Sequence, residues 1–178
     1  MTRGELAGLL AERALLHGDF VLRSGKRSSV YLDKYRFETD PALLGPLAEA
    51  LAAEARRVEP DAHRLAGPEL GAVPLVTALA LRDGRSFVIV RGKAKEYGTA
   101  NRLEGVFEPG ERVLLVEDIV TSGGAALDAV FALREAGLTV ENALCVLDRD
   151  EGGNESLAAI RVTLHPLFRR ADLGLDSA

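Results

Sequence analysis

The sequence predicts an α/β protein, a parallel sheet flanked by helices with a small N-terminal element beside it. Strand-length runs at Leu65-Ala66, Ser86–Val90, Arg112–Val116 and Val140–Leu147 are almost wholly apolar, the mark of strands buried on both faces. Helical spans separate them except between the second and third, and strand-helix alternation implies right-handed crossovers between parallel strands. With 178 residues, 47% hydrophobic and 28% charged, the chain matches one globular domain. That domain is expected over 1–178, with residues 1–40 as an N-terminal helix and hood and 41–178 as the core.

Taken in order, Thr2 and Glu5 form a capping box, and Leu6, Leu9, Leu10 and Leu16 follow at helical spacing, which predicts an opening amphipathic helix. Phe20-Val21-Leu22 and Val30-Tyr31-Leu32 flank a polar turn at Ser24-Gly25 and predict a hairpin. Asp40-Pro41 is an N-cap with proline at the first helical position, and Leu43, Leu44, Leu47, Ala48 and Leu51 give that helix an apolar face to about Arg57. Leu65-Ala66 runs into the loop Gly67-Pro68-Glu69-Leu70-Gly71 and then a helix to Leu81. A helix from Gly123 to Ala136 follows the third apolar run, with Gly137 just past its end. The segment from Arg91 to Gly110 is polar, holds Gly92, Gly98 and Gly105, and is long for a connection between core strands. It predicts a functional loop.

Composition excludes several classes. The net charge of −5 disfavours nucleic acid as a partner. Aromatics are only 5% with no tryptophan, which leaves few stacking platforms for single strands. No apolar run approaches the length of a membrane span, and the first residues lack a signal-peptide core, so a cytoplasmic protein is expected. The single Cys145 excludes an internal disulfide and a multi-cysteine zinc site. His17, His63 and His165 are scattered without metal-ligand or triad spacing. Nucleophile-elbow, Walker and dinucleotide fingerprints are absent from the sequence.

The strongest chemical signal is the order Val113-Leu114-Leu115-Val116-Glu117-Asp118-Ile119-Val120-Thr121-Ser122-Gly123-Gly124-Ala125. An apolar strand delivers two adjacent acids at the sheet edge where α/β proteins bind ligands. Glycines and hydroxyls then open a helix whose N–H groups suit a phosphate. The acids cannot favour a bare phosphate by charge; vicinal ribose hydroxyls or a metal shell are their natural partners. Together the segment reads as a ribose-5-phosphate cradle.

Glu117–Ala125 resembles the phosphoribosyl diphosphate (PRPP) motif of the type I phosphoribosyltransferases, and other segments resemble the orotate-using members of that family. The resemblance spans most of the chain and implies a type I phosphoribosyltransferase-like fold with an N-terminal hood. It implies a glycosyltransferase of pyrimidine biosynthesis, joining PRPP to orotate with Mg²⁺ to give orotidine 5′-monophosphate and pyrophosphate. By it, Glu117 and Asp118 hold the ribose 2′- and 3′-hydroxyls, and the segment Ile119, Val120, Thr121, Ser122, Gly123, Gly124 and Ala125 forms the cradle, its part from Thr121 onward holding the 5-phosphate. Thr121 also falls near the orotate. Protein metal ligands are not expected, because PRPP itself would hold most of the Mg²⁺ shell.

Arg91-Gly92-Lys93-Ala94-Lys95-Glu96-Tyr97-Gly98-Thr99 sets three cations on a glycine-flanked loop, suited to a polyanion and to a lid. It is similar to the family's mobile catalytic loop: Arg91, Lys95, Tyr97 and Gly98 match, whereas Gly92 stands where the family has lysine and Lys93 is one place later. The match implies catalytic roles for Lys95, Arg91 and Tyr97, PRPP contacts from Arg91, Lys93 and Lys95, and a homodimer whose subunits share this loop. Leu147-Asp148-Arg149-Asp150-Glu151-Gly152-Gly153 offers a guanidinium for a bidentate grip on a carboxylate, with Asp148 or Asp150 to orient it. It resembles the family's Asp-Arg-x-Glu-Gly-Gly and implies that Arg149 binds orotate. In the hood, Arg23 falls at a PRPP-contacting position and Tyr31 beside the base. Gly67–Gly71 resembles the pyrophosphate loop but lacks the lysine some relatives have there. A sibling transferase for uracil or a purine would share the cradle without needing Arg149. A PRPP-sensing regulator would keep the fold but present a basic face.

Overall fold

The computed structural model describes residues 1–21, 25, 27–92 and 102–175. Helix α1 (Arg3–Ala14) is closed at its start by the predicted box, Thr2 accepting from the Glu5 amide and Glu5 from the Thr2 amide. It ends two residues short of Leu16, the last leucine of its spacing. Leu15 is already extended and opens β1 (Leu15–Val21), which pairs antiparallel with β2 (Arg27–Leu32). Leu16 therefore belongs to the hairpin and not to the helix. A four-residue helix, α2 (Tyr35–Glu38), leads to α3 (Pro41–Val58), whose N-cap Asp40 accepts from the Ala42 amide at 2.9 Å.

The remaining strands are β3 (Arg64–Pro68), β4 (Ser86–Val90), β5 (Leu103–Glu104), β6 (Val113–Val120), β7 (Asn142–Asp148) and β8 (Thr163–Arg169). They form one sheet in the order β5-β4-β3-β6-β7-β8, parallel except for the short antiparallel β5. The sequence reading treats 91–110 as all loop; its described part contains β5, too short to show a period. It is also silent on α6 (Gly153–Ala159) and β8. Pro166 interrupts the apolar pattern of β8, and a proline is tolerated there because β8 is an edge strand.

Alternation along the strands sorts the interior into two layers. Leu114 and Val116 of β6 and Leu144 and Val146 of β7 pack with α1, α3 and α4 (Ala72–Asp83) on one face. Val113, Leu115, Ala143 and Cys145 pack with α5 (Gly124–Glu135) and α6 on the other. Cys145 is a buried core residue, as its neighbours imply. Arginine forks tie the periphery: Arg3 to Asp172 at 2.7 Å, Arg64 to Glu111 at 2.5 Å, and Arg102 to Asp128.

Two consequences position the site. β6 lies in the middle of the sheet, so every ligand group at its carboxyl end is flanked by β3 on one side and β7 on the other. The hairpin and α2 sit over that end, because Asp33 N–H donates to Ala14 O at 2.9 Å and closes the chain back on α1. Leu114→Ala, at a fully buried position of β6, should lower the unfolding free energy by about 2–5 kcal/mol in urea titration.

Candidate active site

The carboxyl ends of β3, β6 and β7 and the hood enclose a cleft of about 380 Å³ lined by Tyr31, Lys34, Glu117, Asp118, Thr121 and Arg149, among others. Strand β6 is longer than its apolar run predicts and carries both acids within it. Because alternate residues face opposite sides, Asp118 falls to the side of α2 and α4, and Glu117 to the side of α5. Both are 5% exposed. Asp118 thus sits enclosed at the strand end, with the hood lying over it.

Burial needs compensation, and the hood supplies it. Lys34 Nζ lies 2.7 Å from Asp118 Oδ2, while Asp118 Oδ1 accepts from the Ile119 amide. Burial of Lys34 works against its charge, but the Asp118 hydrogen bond and the charges of Asp118 and Glu38 outweigh it and hold its pKa above the ordinary value. Glu38 is buried with neither oxygen accepting a hydrogen bond among the described residues. Burial pushes its pKa up to about 8, with the Asp118 charge and hydrogen bond adding and Lys34 opposing. A protonated Glu38 can donate to Asp118, which satisfies a group that would be orphaned as a carboxylate. Burial likewise pushes Glu117 up to about 8, the Asp118 charge adding. With Glu117 held neutral and Asp118 matched by Lys34, the acid pair presents little net charge to a phosphate. That removes the conflict between adjacent acids and an anionic ligand.

Beyond the acids, the chain turns through Thr121, Ser122 and Gly123 into α5. Gly123 has φ +83° at the N-cap, a left-handed conformation that glycine adopts without cost. Glu117, Ile119, Val120, Thr121, Gly123, Gly124 and Ala125 line a small recess of about 30 Å³ at this helix start, whose first-turn N–H groups have no partner within the helix. Ser122 is exposed beside it. Gly153 lets the β7 turn close over this one: a Cβ there would stand 2.3 Å from Val120 Cγ1 and 2.6 Å from Thr121 O.

Arg149 follows β7, its N–H donating to Val120 O at 2.9 Å. Its guanidinium is 3.0 Å from Glu151. Asp148 and Asp150 do not orient it; both pair with Arg169 of β8, at 3.2 and 2.5 Å. The sequence reading could not separate these acids without β8. Tyr31 lines the cleft at its half-exposed rim, its ring 5.6 Å from that of Phe20. Arg91 stands apart from the cleft lining, with Glu69 and Glu104 at 4.0 and 3.8 Å, and the Gly92 amide donates to Glu69. Arg23, Lys93, Lys95, Tyr97 and Gly98 lie outside the described residues. Of the histidines, His63 accepts from the Arg112 amide and His165 meets Asn142, both at the opposite end of the sheet from the cleft.

Parallel strands that end in an acid pair, a glycine phosphate turn and a hooded cleft define a phosphoribosyltransferase of the type I class. No family model matches the chain. It is 50% identical over 168 residues to the orotate phosphoribosyltransferase of Halobacterium salinarum, covering 94% of each chain. To that of Natronomonas pharaonis it is 48% identical over 177 residues, covering 99% of each. The crystal structure of the Mycobacterium tuberculosis orotate phosphoribosyltransferase superposes with a TM-score of 0.86 at 32% identity, over 97% of this chain and 99% of that one. The chain belongs to the orotate phosphoribosyltransferase family.

A pH dependence follows. Glu38 and Glu117 keep their protons in the folded state up to about 8, whereas the unfolded chain releases them near the ordinary glutamate pKa, so folding becomes less favourable as pH rises between the two values. The groups facing Glu38 are Lys34, Asp118 and Asp33. The melting temperature should carry a component that falls from pH 5 to 8, and Glu38→Gln should flatten it. A slope identical to that of the unsubstituted protein would remove Glu38 from this account.

Proposed function

We propose that this chain transfers the phosphoribosyl group of PRPP to orotate, giving orotidine 5′-monophosphate and pyrophosphate in pyrimidine nucleotide synthesis. One observation carries the reading: one cleft is lined by the acid pair Glu117 and Asp118, by Thr121 of the phosphate turn and by Arg149. A substrate with a carboxylate gives Arg149 a partner that uracil or a purine base would not. The 5-phosphate would take the recess at the start of α5, and the ribose hydroxyls Glu117 and Asp118. Thr121, which lines both recess and cleft, would stand between ribose and base.

Substitution at the anomeric carbon passes through a transition state with positive charge on the ribose ring. The attacking nitrogen comes from orotate, so the residues orient the two substrates, shield the carbon from water and stabilise the departing pyrophosphate. Among the described residues, no three His, Cys, Asp or Glu side chains gather as a metal set. Mg²⁺ would enter on the oxygens of PRPP itself, where it would offset the charge of the leaving group. Arg91, Lys93, Lys95 and Tyr97 would close over the same group. Arg23 of the hood would add a further PRPP contact.

Purified protein given PRPP, Mg²⁺ and orotate should lower orotate absorbance. Arg149→Gln should cut kcat/KM for orotate roughly tenfold to hundredfold, as loss of a charge-assisted bond does. Unchanged absorbance with the intact protein would overturn the reading, and retained activity on uracil or adenine would transfer it to a sibling reaction.

Among the described residues the cleft lining holds only Lys34 and Arg149 as cations, few for a polyanion of this charge, which supports further cations from loop 91–99; we infer that they act on the partner subunit's cleft in a homodimer. Lys95→Ala and Asp118→Asn proteins should each be poor alone and recover on mixing. Random exchange of subunits in a two-fold dimer makes half the molecules mixed with one intact site each, so recovery should approach about a quarter of full activity. Absence of any gain would confine the loop to its own subunit.

A further inference from the structure

The loop Gly67–Gly71, which receives the diphosphate in the reading above, has no basic residue of its own; its one charged side chain is Glu69. A cation nevertheless stands over it. Lys34 Nζ lies 2.5 Å from the point where a side chain on Gly71 would begin. Asp118 Oδ2 lies 1.8 Å and Glu38 Oε1 2.9 Å from the same point. Three charged or titratable groups thus converge on the bare Cα of one glycine. Gly71 has φ −64° and ψ −41°, an ordinary helical conformation open to any residue, so the glycine is required for room and not for backbone freedom.

Lys34 does more than neutralise its neighbours. An ammonium group has three N–H donors, and one of them reaches Asp118. Its side chain is 35% exposed, against 7% for Asp118, and it opens onto the cleft. That exposure turns its remaining N–H donors toward the cleft. Lys34 sits where the ribose acid and the diphosphate loop meet.

We propose that Lys34 is a substrate-binding residue that contacts the diphosphate of PRPP, its ammonium bridging Asp118 and the phosphate oxygens held over Gly67–Gly71. Glu38 is a positioning residue behind it. The proposal rests on the function proposed above. It assigns to the hood, through a residue far from the loop in sequence, the cation that the loop itself lacks. A compact ammonium suits this place because it can hold two oxygen partners in different directions, where a planar guanidinium prefers one carboxylate or phosphate face.

Inorganic pyrophosphate with Mg²⁺ is the discriminating probe, because it offers phosphate oxygens and no ribose. The unsubstituted protein is measured first, for orotate consumption and for pyrophosphate binding by calorimetry; failure of both would overturn the function and not this assignment. Given both, Lys34→Met should weaken pyrophosphate binding and raise KM for PRPP, each roughly tenfold to hundredfold, with KM for orotate unchanged. Lys34→Arg, which keeps the charge, should restore most of the pyrophosphate affinity. All measurements belong below the melting transition of each variant. Should Lys34→Met not fold, Lys34→Gln, which keeps an N–H donor toward Asp118 without the charge, takes its place, and the same readouts apply. A folded Lys34→Met protein that binds pyrophosphate as the unsubstituted protein does would overturn the proposal, even if its KM for PRPP rises, because Lys34 would then act only through Asp118.

Discussion

The carboxyl end of β6 must carry two acids on a strand that is otherwise buried on both faces, and much of the molecule answers that constraint. An ionised carboxylate deprived of water is costly unless paired or neutralised. The chain uses both remedies, a lysine for Asp118 and a retained proton for Glu117. Each remedy requires structure elsewhere. The lysine needs α2, α2 needs the hairpin closed back on α1, and the close approach of Lys34 and Asp118 needs a glycine at position 71. The hood is therefore part of the electrostatics of the core and not an appendage to it.

The same constraint explains how the cleft accepts an anionic ligand. Two ionised acids beside a phosphate turn would repel what the turn attracts. Holding one of them neutral and matching the other leaves their oxygens available for hydroxyl groups while the helix start keeps its preference for negative charge. Ribose and phosphate can then sit on adjacent parts of one strand-to-helix connection.

The sheet, its crossovers and the acid-to-glycine turn were legible because each depends on residues close in sequence: Val113–Ala125 contains its strand, its acids and its phosphate turn in one run. What was not legible depends on distant segments. Nothing around Asp118 in sequence announces Lys34, and Glu38 looks like a surface acid until the fold encloses it. Asp148 and Asp150 are equivalent candidates for Arg149 until β8 brings Arg169 to claim both, which leaves the guanidinium to Glu151. Leu16 continues a helical spacing that tertiary pairing with Tyr31 overrides. One signal was available for Lys34: the chain has only four lysines against a large excess of arginine, at 26, 34, 93 and 95. Three of them fall in the hood or loop segments that carry the family resemblance, and Lys34 lies within a few residues of one of these.

The arginine forks of the periphery have a consequence for the conditions under which the molecule comes apart. Guanidinium groups stay charged at any pH a protein meets, so these links fail only when their acids take up protons. Asp172 and Glu111, each bonded to an arginine, are held below their ordinary values chiefly by that bond, and their contribution disappears as pH falls through their lowered pKa values. Acid thus undoes the rim while the cleft, with Glu38 and Glu117 already protonated, is at its most relaxed. Alkali acts on the opposite region, forcing charge into the centre while every rim fork stays intact. The protein has two separate weak points, at opposite ends of the pH scale and in different layers of the fold.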